Sequence, residues 1–96
     1  MGRRRSAPEP RRYAIEFTRA AERGLAALPR QVLPRMDAAI GALAEEPRPP
    51  GSKKLRGGED LYRIRVGDYR AIYRVEDDRR VVLMIDVGNR KDIYEP

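Results

Sequence analysis

Arginines recur at strand spacing around the dipeptide Gly67-Asp68: Arg63 and Arg65 lie before it, Arg70 and Arg74 after it. Guanidinium groups are permanently charged forks that grip phosphate oxygens bidentately. Several on one strand face therefore suit a polyanion. A two-residue loop with Gly at its first central position fits a type II′ hairpin turn, which fixes the register by pairing Val66 with Tyr69. Counting outward, Arg65 faces Arg70, Ile64 faces Ala71 and Arg63 faces Ile72. Directly opposed residues share one side of a sheet, as do residues two apart on one strand. Tyr62, Ile64, Val66, Tyr69, Ala71 and Tyr73 then form an apolar side, and Arg63, Arg65, Arg70 and Arg74 form the other. Two arginines directly across a ladder repel unless an anion or a carboxylate sits between them. A phosphate is one candidate; Asp86 or Asp92 of the chain itself is the other.

Charge along the chain points the same way. The formal net charge is +6. Between residues 48 and 74, eight basic residues, Lys53, Lys54 and Arg56 among them, face only Glu59, Asp60 and Asp68. Residues 1–12 hold five arginines against Glu9. The remainder is acidic on balance, so the protein is polarised, as a nucleic-acid face requires. The cations just before the hairpin make a track for an RNA or DNA backbone. The chain has no Cys and no His, which excludes disulfides, thiolate chemistry and imidazole catalysis and leaves a zinc site only carboxylates. No run reaches the ~20 apolar residues of a membrane span, and none follows the basic N-terminus as a signal peptide would. Cytoplasm is the expected location.

The elements that must position these residues read as one α+β domain. Ninety-six residues suit one modest core. Residues 1–12, with Pro8 and Pro10 among arginines, have no apolar periodicity and read as a flexible basic tail, leaving 13–96 as the domain. Tyr13–Phe17 alternates as a short strand. Thr18 suits an N-cap, and Ala21, Leu25 and Leu28 give a helical stripe that Pro29 ends. A second helix is expected over roughly 30–46, with Leu33, Met36, Ile40 and Leu43 on one face and Pro34 either starting it or kinking its first turn. A Pro/Gly-rich loop follows at 47–52. Strands are expected at about 61–66, 69–76 and 80–87, the last apolar on both faces and therefore deep in the sheet. Residues 88–94 read as a turn and a short strand or coil. The order is β-α-α-β-β-β, two N-terminal helices packed on a small antiparallel sheet.

The blocks Lys54–Gly57, Leu61–Arg65, Gly67–Arg70, Ile72-Tyr73 and Val87–Tyr94 together resemble the RelE/ParE superfamily of type II toxins, on the RelE side, across about residues 13–94. The resemblance implies a RelE-like toxin that needs no cofactor or metal and is held harmless by a cognate antitoxin protein. It implies a ribosome-dependent mRNA endonuclease (an mRNA interferase) that stops translation by cutting mRNA in the A site. There the ribose 2′-OH attacks the adjacent phosphate and leaves a 2′,3′-cyclic phosphate and a 5′-OH. By position, the catalytic set is Arg63, Arg65, Arg70, Arg90 and Tyr94, and Lys53, Lys54 and Arg56 contact ribosomal RNA. Arg65 and Arg70 would hold the phosphate and Arg90 would serve the leaving oxygen. Tyr94 would stack on a base or join proton transfer, or else pack on the core. Two departures from the family stand out. Arginine replaces lysine at 63 and 65, and Asn89 stands where many relatives have histidine. Arginine does not give up its proton, so the general base falls to Tyr94, a ribosomal group or solvent. The alternatives are a ParE-like inhibitor of DNA gyrase and a non-catalytic module that binds RNA or an antitoxin.

Overall fold

The computed structural model describes residues 12–56 and 60–89; the arginine-rich residues 1–11, together with Arg90 and Tyr94, lie outside them. Strand β1 (Ala14–Phe17) leads into helix α1 (Arg19–Ala26), helix α2 (Leu33–Ala42), a two-residue strand β2 (Lys53–Lys54), and strands β3 (Leu61–Val66), β4 (Tyr69–Glu76) and β5 (Val81–Asn89). The strands form one sheet in the order β1-β5-β4-β3-β2. From β2 to β5 every pairing is antiparallel, as expected, whereas β1 joins β5 in parallel. The sheet is therefore mixed. A strand leaving α1 and α2 as an αα-hairpin cannot reveal from its own alternation which partner it will find, because that pairing is non-local.

Helix α1 starts where Thr18 caps it. The Thr18 hydroxyl accepts from the Ala21 N–H at 3.1 Å and donates to the Ile85 carbonyl at 2.7 Å, so one side chain caps the helix and ties it to β5. Further along, a Cβ at Gly24 would overlap the Val87 carbonyl; the absent side chain lets the helix lie directly on the second half of β5. Helix α2 is shorter than the sequence suggests. Pro34 falls in its first turn, where the missing N–H costs nothing. That start moves the buried face by one residue: Val32 is buried beside Met36, Ile40 and Leu43, and Leu33, expected inside, is exposed.

The main core lies between the helices and the tyrosine side of the sheet. Tyr62, Ile64, Val66, Ala71 and Tyr73 meet Met36, Ile40, Leu43, Val82 and Met84 there, with Tyr69 packed at the margin. The Tyr62 and Tyr73 rings stack at 5.9 Å, and the Tyr73 hydroxyl donates to the Pro47 carbonyl at 2.8 Å. The hydroxyl is thus satisfied in a site that hides the whole side chain.

Candidate nucleic-acid interface

The hairpin has the register counted from its turn. Val66 pairs with Tyr69, Arg65 with Arg70, Ile64 with Ala71 and Arg63 with Ile72. Gly67 takes φ +60°, and Asp68 is not among the residues of positive φ, which is the type II′ pattern. Arg65 and Arg74 are exposed, Arg70 is half-buried, and Arg63 is 6% exposed. Burial first, and the Arg65 charge second, push the Arg63 guanidinium below its ordinary value. It nevertheless stays a cation, since arginine starts above about 12. Like charges are thus held close on this side of the sheet.

Strand β2, which the sequence reading treats as part of the lead-in, extends the cationic side. Lys53 pairs with Arg63 and Lys54 with Tyr62, and both lysines are exposed. Arg56 is exposed just beyond. Beneath these cations lies a second apolar cluster, which the sequence reading missed: Leu55, Leu61 and Ile72, with Ile85 packed against them. The alternation already placed Leu61 and Ile72 on the arginine side, so that signal was present. An apolar floor lowers the local dielectric, which strengthens the cations' pull on a bound phosphate.

Strand β5 contributes an irregularity. Ile72 pairs with Asp86 but Tyr73 pairs with Met84, so Ile85 is an extra residue and the strand is bulged. Val82 and Met84 face the main core with no exposure. By simple alternation Asp86 would follow them inward. The bulge turns it outward instead, and Val87 takes the core position with 2% exposure. One Asp86 carboxylate oxygen accepts from the Val87 N–H at 3.0 Å. On the helix side of the sheet, the end of α1, Tyr69 and the 86–89 end of β5 border a groove of about 450 Å³.

Of the sequence-predicted site residues, Arg63, Arg65, Arg70 and Lys53 are brought onto one side of the sheet, and Lys54 and Arg56 sit at its edge. Arg90 and Tyr94 lie outside the described residues. No group of metal-binding side chains occurs among the described residues, and no described helix is long and apolar enough to cross a membrane.

Comparison with known proteins agrees with this geometry. Residues 15–94 match the family described as ParE toxin of type II toxin-antitoxin system, parDE. Toxin RelG of Mycobacterium tuberculosis is 35% identical over 83 residues, covering 85% of this chain and 95% of that one. The crystal structure of isolated Escherichia coli RelE toxin superposes with a TM-score of 0.72 at 32% identity, covering 80% of this chain and 83% of that one. The archaeal RelE-RelB complex from Pyrococcus horikoshii gives a TM-score of 0.72 at 30% identity, over 84% of this chain and 98% of that one. The α+β fold, the opposed arginines and these likenesses agree: this chain belongs to the RelE/ParE superfamily of type II toxin–antitoxin toxins, in its RelE branch.

Proposed function

We propose that the protein is a ribosome-dependent mRNA endonuclease that cleaves A-site mRNA by metal-independent attack of a ribose 2′-OH on the adjacent phosphate. The observation that supports it most is the directly opposed pair Arg65 and Arg70, with Arg63 buried beside them. Guanidinium groups gathered in this way suit bidentate contact with a phosphodiester. In-line displacement at phosphorus builds negative charge on the non-bridging oxygens. Fixed guanidinium groups over an apolar floor stabilise that charge more than the ground state. Lys53, Lys54 and Arg56 extend the face along the nucleic-acid backbone and contact ribosomal RNA. Arg90 serves the leaving 5′-oxygen, and Tyr94 stacks on a base. A cognate antitoxin covers the toxin until it is released, in keeping with relatives solved as toxin–antitoxin complexes. The working site is the cytoplasm, and residues 1–12 are a tail outside the domain.

Induction of the chain in a host without its antitoxin, followed by primer extension on translated messages, tests the reading. Cuts inside codons are expected, and Arg70→Ala is expected to remove them. Growth arrest with whole messages would reject it. The family matched by residues 15–94 is described by its ParE members, which keeps gyrase inhibition as the second reading; DNA breaks with unbroken mRNA would favour that one.

A further inference from the structure

We propose that Asp86 is the general base that takes the proton from the attacking 2′-OH, the role that the non-titrating arginines at 63 and 65 cannot fill. The proposal rests on the RNA-cleaving reading given above. Two observations carry it. The β5 bulge takes a carboxylate that alternation would bury and aims it at the arginine side, opposite Ile72. Bulges commonly re-aim side chains beside active sites. Next, Gly88, two residues on, lies directly across from Arg70. Asp86 is therefore the diagonal neighbour of Arg70, roughly 7–8 Å away between backbones and closer between side chains. A phosphate held by Arg70 places its 2′-oxygen roughly 3–3.5 Å from phosphorus, in the gap between the two side chains.

In this step the 2′-OH proton passes to the Asp86 Oδ2, while Oδ1 stays fixed by the Val87 N–H. The 2′-oxygen bonds to phosphorus and the bond from phosphorus to the 5′-oxygen breaks. Arg65 and Arg70 hold the non-bridging oxygens. The leaving 5′-oxygen takes a proton from solvent, and the products are a 2′,3′-cyclic phosphate and a 5′-OH. Among the described residues, Asp86 shares the arginine side with Arg70 and Arg74 of β4 and with Arg63 and Arg65 of β3.

The test is single-turnover cleavage of mRNA on programmed ribosomes by wild type, Asp86→Asn and Asp86→Ala. Asn retains an oxygen for the Val87 N–H, so the expected loss of about 10²- to 10⁴-fold comes with unchanged ribosome binding and unchanged melting. Where Asn does not fold, Asp86→Ser takes its place. The wild-type rate is expected to fall as the carboxylate is protonated, and that dependence disappears in the Asn variant. Added formate is expected to restore cleavage by Asp86→Ala, which a purely structural carboxylate would not allow. Cleavage by Asp86→Asn within about threefold of wild type, with the same pH profile, overturns Asp86 alone. A wild type that leaves mRNA whole overturns the RNA-cleaving reading and Asp86 with it.

Discussion

The two ends of the β3-β4-β5 sheet use arginine in opposite ways. At the end near the β4-β5 turn, Arg48 donates to the Tyr62 hydroxyl at 2.8 Å and to Asp77 at 2.8 Å, reaches Asp60 at 3.2 Å, and lies over the Tyr62 ring. Arg79 pairs with Glu76 at 2.6 Å. These hydrogen bonds hold the Arg48 guanidinium well above its ordinary value and Asp77 below its own. At the other end, Arg65 stands opposite Arg70, and among the described residues Arg65 makes no ion pair. Arg63 is driven down by burial and by Arg65, the reverse of Arg48. Cations with carboxylate partners are finished parts of the fold. The opposed guanidinium groups at the other end are placed to take a phosphate, and that contrast marks the proposed functional end.

The largest effect that can break this contrast is Arg65→Ala. Cleavage is expected to fall about 10²- to 10³-fold, as when one donor to a developing anion is lost. Stability is expected to change by less than about 0.5 kcal/mol, or to rise slightly, because an exposed like-charge contact is relieved. Parallel kinetics and thermal melts check both halves; a large stability loss would make Arg65 structural like Arg48.

A second effect sharpens the structural end. Burial pushes the Tyr73 hydroxyl up to about 12 from its ordinary 10.0. A raised folded value means stability that is whole below pH 10 and lost as pH climbs towards 12. At 1.36 kcal/mol per unit this is about 2–3 kcal/mol. Urea midpoints measured across that window are expected to drop for wild type and stay level for Tyr73→Phe.

Smallest is the effect at Asp77. Arg48 and the Tyr13 hydroxyl, which donates to Asp77 at 2.5 Å, hold this carboxyl below its ordinary 3.8. Its contribution is present above that value and lost as pH falls through the lower folded one. The side chain is 49% exposed, so screening limits the loss in Asp77→Asn to under about 1 kcal/mol. That variant is expected to melt slightly earlier at neutral pH, to show a flatter acid profile, and to cut RNA normally.

The arginine end was legible largely because one turn controls it. Gly67-Asp68 fixes every pair from Val66-Tyr69 to Arg63-Ile72, so the arginine side could be counted from the sequence. The β5 bulge could not be counted. Val82, Met84 and Asp86 share a parity, and only packing decides that the polar member leaves the core while Ile85 is absorbed. Helix α2 shows a milder form of the same limit: Pro34 marks a start but does not say that Val32 rather than Leu33 turns inward. The Arg48 network joins the 47–52 loop, Asp60 and the β4-β5 turn, segments whose meeting depends on the completed fold. The parallel seat of β1 depends on it too.

RNA cleavage at the Arg65-Arg70 end is tested most directly by the chemistry of the cut ends. Purified protein incubated with programmed ribosomes is predicted to cut inside the A-site codon. The upstream fragment is predicted to carry a 2′,3′-cyclic phosphate and the downstream fragment a 5′-OH, with Arg65→Ala leaving the message whole. Intact mRNA at a protein concentration that halts translation would contradict it.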